Sequence, residues 1–191
     1  MDKSKPGETP IVIVTKLSKH GDGLALDFSL YKRLLGNLMY LTTTRPDLMY
    51  VVNLISRFME SPNDSHWKVG KIILRYVVGI IGYGLWYTNS IDTTLTRYTD
   101  SDFAGSVDDK KITYGYVFHL GTNLISWASK KQPIVSISYV KAEYVLATST
   151  TCHVVWLRSL LVDMGHTEKD PNIIFYDNSS TIALSKKSCL P

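Results

Sequence analysis

Three acids, Asp100, Glu143 and Asp177, stand where elements of regular structure would carry them toward one point. Asp100 lies near the end of a strand-like stretch that begins at Leu95. Asp177 follows the apolar run Ile173-Ile174-Phe175-Tyr176, which suits a buried strand, and so sits at a carboxyl end, where open α/β sheets place their ligands. Glu143 falls on the first turns of a long helix expected from about Val140 to Met164. There it shares a face with Ala147, Thr150, Val154, Leu157 and Leu161. That face is otherwise the one turned to a sheet, and a carboxylate on it costs free energy unless a cation or donor satisfies it. A divalent ion held by three carboxylates supplies the compensation, and Mg²⁺ or Mn²⁺, as hard cations, prefer such oxygen ligands. Taken alone, Glu143 reads better as an acid at the rim of the core.

A second pattern is cationic. HWKVGKIILRYVV places Trp67, Ile73 or Leu74, and Val77 or Val78 on one side of a helix and Lys68, Lys71 and Arg75 on another. The whole chain holds 21 Lys+Arg against 17 Asp+Glu, a net of +4, and the excess lies entirely within residues 1–90. That balance fits contact with a polyanion without demonstrating one, and a solvated helix face accounts for the same lysines. Lys130 and Lys131 extend the set of candidate phosphate contacts.

With 191 residues, 45% of them hydrophobic and 20% charged, the chain can build a core, and it is too short for a multidomain enzyme. Cys152 and Cys189 show neither disulfide nor zinc spacing, so a reducing compartment is expected. The apolar stretch Val77–Tyr87 is too short to span a bilayer, and IVIV near the N-terminus stops before reaching signal-peptide length. No membrane partner and an intracellular site, cytoplasm or nucleus, are therefore expected.

Residues 1–28 mix proline, glycine and scattered charge without helical period and read as an extended lead-in that could lie along a partner surface. Residues 29–90 read as helical. YKRLLGNLMYL gives a first helix from Leu30 to about Thr42. Thr44-Arg45-Pro46-Asp47 caps a second, in which Met49, Val52, Ile55 and Met59 share a face, and a third follows the break at Ser61-Pro62-Asn63-Asp64. The triplet Gly79-x-x-Gly82-x-Gly84 stops that helix and does not cradle a phosphate, since no helix opens after it.

In residues 91–191 the period changes to two. Ile112, Tyr114, Tyr116, Phe118 and Leu120 alternate with Thr113, Gly115, Val117 and His119, and a Gly121-Thr122 turn leads into a second strand over Asn123–Ser129. The long helix should close at Gly165, and Ser179 to Leu184 reads as a further helix start. Strand, hairpin, long helix, strand and helix make an α/β arrangement with a mixed sheet.

These segments resemble a known family. YTDSDFAGSVDDKKITYGYVF, ISWASKKQP, AEY, WLRSLL and FYDNSSTIAL, in that order, are similar to the ribonuclease H domain of copia-type LTR retrotransposon polyproteins. SKPGETP, YKRLLGNLMYLTTTRPDLMYVVNLISRFM and HWKVGKIILRYVVGIIGYGLWY resemble the thumb and connection segment that joins the reverse transcriptase to it, so the likeness runs from Ser4 to Lys187. The resemblance implies a ribonuclease H-like mixed sheet, and a nuclease that cuts the RNA strand of an RNA–DNA hybrid with two Mg²⁺ or Mn²⁺ roughly 3.5–4 Å apart. Asp100, Glu143 and Asp177 match three of the family's metal ligands, and Asp102 is a weaker candidate for the first.

Departures accompany the matches. The family carries a further acid in a segment after the last motif, and this chain stops at Pro191 before reaching it, as it also lacks the polymerase portion. Lys141 stands where the family has an acid two residues before Glu143, Cys152 and His153 replace a polar-acidic pair, and Phe103 replaces a tryptophan. Val107-Asp108-Asp109 lacks the aromatic of a polymerase aspartate box and reads as a solvent-facing turn. The expectation is a drifting remnant, inactive as a nuclease by itself, or alternatively a non-catalytic module that binds nucleic acid or protein through Lys68, Lys71, Arg75, Lys130 and Lys131.

Overall fold

The computed structural model describes residues 5–11, 17–19, 26–89, 92–102, 108–109, 111–132, 139–167, 171–175 and 182–183, with the side chains of 100–102 and 139–144 outside that set. The chain divides into two units, one running to Leu85 and taking in 106–109 and 128–130, the other formed by the remainder.

In the first unit, α1 spans Phe28–Leu41 and is opened by Asp27, whose side chain accepts the Ser29 N–H. Tyr31, Leu35 and Leu38, one turn apart, are its buried face. Three successive threonines end it, the hydroxyls of Thr42, Thr43 and Thr44 donating back to the carbonyls of Met39, Tyr40 and Leu41. Thr44 is thus spent on the helix behind it. The cap position ahead belongs to Arg45, which makes no side-chain capping bond; Pro46 starts a 3₁₀ turn, Pro46–Leu48, that runs into α2, Met49–Ser56. Arg45 instead grips Asp47 at 2.7 Å and donates to the Ile80 carbonyl just beyond α3, Asp64–Gly79.

The inward face of α3 is His66, Val69, Gly70 and Ile73, and Trp67 is only half buried. Trp67, Leu74 and Val77, expected on one side with Ile73, pack against the same core. At Gly70 a Cβ would come within 2.8 Å of the Leu34 side chain, so α1 and α3 approach closely there. The lead-in also finds its surface, because the Gly7 N–H donates to the Arg75 carbonyl and Arg75 Nε donates to the Lys5 carbonyl. Residues 5–7 of it lie on this chain's own α3.

The second unit is the sheet. β1 (Leu95–Asp102), β2 (Thr113–Leu120), β3 (Asn123–Lys131) and β4 (Ile173–Phe175) are ordered β3-β2-β1-β4, with β1 antiparallel to β2 and parallel to β4. The α/β class and mixed sheet are those expected of a ribonuclease H-like domain. α4, Tyr139–Asp163, packs Val154, Leu157 and Leu161 on Leu95 and Phe118. It ends at Gly165 (φ 86°), where the Gly165 and His166 amides donate to the carbonyls of Val162 and Leu161 in the double bond of a Schellman stop. By length and apolar composition alone, Val145–Asp163 could also cross a membrane, which makes it the longer apolar stretch in place of Val77–Tyr87.

Between β2 and β3, Gly121 has φ 57° and donates to the Thr94 carbonyl. A Cβ there would collide with the Asp92 carbonyl, a backbone atom that cannot swing away. Gly121→Ala should therefore cost more than the roughly 1–2 kcal/mol of the left-handed conformation itself. Thermal unfolding of the variant should show a lower Tm; an unchanged Tm would mean that the turn is formed differently.

β4 departs from expectation. It is the edge strand, with Ile173 52% and Phe175 44% exposed, and only Ile174 joins the core under α4. Its outer residues meet neighbours on the open face, where Phe175 stacks on Tyr98 at 4.9 Å. The helix start expected at Ser179 to Leu184 falls, but for Ile182 and Ala183, outside the described residues.

Candidate functional site

Asp100 belongs to β1 and is paired through its backbone with Gly115 of β2. Glu143 belongs to the second turn of α4, one turn ahead of the buried Leu146, which is followed on the same side by Thr150, Val154, Leu157 and Leu161. The backbone thus bears out the elements on which these two acids were placed, while their side chains and the whole of Asp177 lie outside the described residues. Among the described residues, no group of three or more His, Cys, Asp or Glu side chains could hold a metal ion. In donor chemistry, three carboxylates without thiol or imidazole suit a hard divalent cation.

The sheet face under α4 contains a residue that alternation from Leu95 would have flagged. Arg97 is 1% exposed, its guanidinium 4.9 Å from the Tyr116 ring and 5.0 Å from the Phe118 ring. Burial pushes the Tyr116 hydroxyl above its ordinary range, Tyr114 adds to this, and Arg97 pulls it back. His153 of α4 stacks on Phe118 at 4.9 Å and lies 5.2 Å from Tyr116, so the same two rings meet a cation from β1 and an imidazole from the helix.

Lys68, Lys71 and Arg75 form an exposed line on α3. Lys68 reaches Asp64 at 2.8 Å, an exposed i,i+4 pair worth a few tenths of a kcal/mol at most, and Lys71 lies 5.7 Å from the Trp67 ring. Such contacts leave both ammonium groups accessible to phosphates. Lys130 is exposed and Lys131 half-buried at the end of β3. Asp108 and Asp109 are exposed in a turn, as expected.

No protein-family model matches the chain, and no solved structure does. Among curated proteins it is 39% identical over 175 residues to the retrovirus-related Pol polyprotein from transposon RE2 of Arabidopsis thaliana, covering 92% of this chain and 12% of that protein. It is 38% identical over 195 residues to the Pol polyprotein from transposon TNT 1-94 of Nicotiana tabacum, covering 98% of this chain and 14% of the relative. A shorter relative, secreted RxLR effector protein 161 of Plasmopara viticola, is 39% identical over 128 residues, which are 66% of this chain and 90% of that protein. The chain therefore spans about one eighth of the Pol polyproteins it matches.

Proposed function

Since the chain belongs to the retrovirus-related Pol polyproteins of copia-type transposons, we propose that it is their connection segment and ribonuclease H-like sheet, whose ancestral activity is metal-dependent hydrolysis of RNA in RNA–DNA hybrids. One observation carries the site. Tyr98 pairs with Phe175 across the parallel β1–β4 ladder, and Asp100 follows Tyr98 by two residues as Asp177 follows Phe175. Equal offsets from a paired position favour two carboxylates at one level of the sheet, at the carboxyl ends of both strands. Alternation gives positions 100 and 177 the Tyr98–Phe175 face, opposite the one on which α4 packs, so Glu143, on the second turn of α4, would join them as the third acid only beyond the strand ends.

Bound there, a divalent cation would lend Lewis acidity toward the scissile phosphate. The chain's own part is to fix the cation through Asp100, Glu143 and Asp177, with Asp102 beside the first. Two cations a few ångströms apart repel unless enough carboxylates surround them, and three acids suit one ion better than two. Lys141 adds positive charge two residues from Glu143. The proposal is accordingly that these 191 residues turn over hybrid slowly or not at all. Cleavage of a labelled RNA–DNA hybrid with Mg²⁺ or Mn²⁺ tests it: equal low background in the native chain and in Asp177→Asn agrees. Turnover that disappears in Asp177→Asn would overturn the inactivity and uphold the site.

The exposed line on α3 favours a second reading, a module that binds nucleic acid without cutting it. Its affinity should fall with salt at a log–log slope of about −0.9 per phosphate contact, and Lys71→Ala should make that slope shallower by about one contact. A slope near zero would remove this reading.

A further inference from the structure

We propose that α1 and α3 together form a groove for the phosphate backbone of a nucleic acid, with Arg33 of α1 on one wall and Lys71 of α3 on the other. This rests on the second reading above and gives the cation line of α3 an opposing wall. The two helices run side by side in one direction. Just ahead of them the Leu26 N–H donates to the Pro62 carbonyl at 3.3 Å. An equal step along each helix leads to Leu34 and Gly70, where the Leu34 side chain lies 2.8 Å from the place a Cβ of Gly70 would take. At about 100° per residue, Tyr31, Leu35 and Leu38 fall to one side of Leu34, and His66, Val69 and Ile73 fall to the same side of Gly70; both sets are buried in the core. The opposite side carries Leu30, Arg33 and Asn37 on α1 and Trp67, Lys71 and Leu74 on α3. There Leu30, Arg33, Asn37 and Lys71 are exposed, and Trp67 and Leu74 are half-buried. Leu34 and Gly70 make the floor between these walls.

Charge selects the occupant. α1 holds no acid, and Asp64, the one acid of α3, is bonded to Lys68. Lys32 leans over the Phe28 ring at 4.0 Å on the far side of α1, and Arg75 donates to the Lys5 carbonyl. The exposed Arg33, by contrast, has no acidic partner among the described residues. Cations on facing walls with no acid between them complement a phosphodiester chain. Lys71 already lies 5.7 Å from the Trp67 ring, and that ring offers a flat apolar surface against which a base of the same strand can stack. Lys68 and Arg75 continue the α3 wall outward, so a strand seated over Gly70 meets Arg33 and Lys71 before either of them.

Fluorescence anisotropy of a labelled RNA–DNA hybrid, titrated with the chain at several salt concentrations, reads the contact. Arg33→Ala should weaken binding about eightfold at about 0.1 M salt and make the log–log slope shallower by about 0.9, as expected for one lost phosphate contact. Arg33→Lys should keep the native slope. Lys32→Ala removes the same charge one residue away on the other face of α1, and should change the affinity by less than about twofold because a charge held off the strand is screened. Equal effects of Arg33→Ala and Lys32→Ala, or a native slope in Arg33→Ala, overturn the groove and leave the second reading standing. A slope near zero in the native chain overturns both.

Discussion

Phe118→Ala is expected to destabilise the sheet unit by about 3–5 kcal/mol. The ring is completely buried in β2, where it packs on Leu95, Val154, Leu157 and Leu161. His153 stacks on one side of it and Tyr116 meets it edge-on at 5.5 Å. Truncation removes transfer free energy, leaves a cavity that the sheet cannot close, and takes one of two rings away from the buried Arg97 guanidinium. Phe118→Leu keeps most of the volume and should cost well under half as much. Urea unfolding of the three proteins measures this. A loss below about 1 kcal/mol for Phe118→Ala would mean that α4 does not pack as described.

Much of this architecture is legible because local and global signals agree. Alternation over Ile112–Leu120, the Gly121 turn, the Gly165 stop and the repeating face of α4 each follow from a period or a backbone requirement, and the structure reproduces all four. The misses have physical reasons. A three-residue apolar run such as Ile173–Phe175 reads the same whether it is central or at an edge, because its place is set by pairing with β1. On α3, spacing places Trp67, Ile73 or Leu74, and Val77 or Val78 on one side, and Trp67, Ile73, Leu74 and Val77 do meet the core; Gly70, which has no side chain to enter a hydrophobic period, goes unmarked. His66 is a buried polar group, which a hydrophobic period cannot announce, with the Phe58 ring and the Asn63 backbone as partners, whereas Arg97 sits where alternation from Leu95 points inward.

The candidate site was legible in part. The strand and helix that carry Asp100 and Glu143 are formed. Asp177 and the other two side chains lie outside the described residues, so the proposed approach of Asp100 and Asp177 rests on the equal offsets along β1 and β4, and that of Glu143 on the resemblance. The three acids point to a hard divalent cation by their own chemistry, and the resemblance supplies the second ion and the RNA–DNA hybrid.

Neutralising any one of the three acids should weaken divalent cation binding by about tenfold or more, the equivalent of at least about 1.4 kcal/mol, because each removes a full charge from direct contact with the ion. Lys141 should act in the opposite sense. At low salt Lys141→Gln should therefore tighten binding, and progressively less as salt is added, because the removed positive charge repels the ion through a screened medium.

Titration of Mn²⁺ into the native chain and into Asp100→Asn, Glu143→Gln and Asp177→Asn, followed by the loss of the free-ion paramagnetic resonance signal, tests the shared site most directly. The account predicts one bound Mn²⁺ in the native chain and a loss of about tenfold or more in affinity in each variant. Native-like binding in all three variants, or no saturable binding in the native chain, would contradict it.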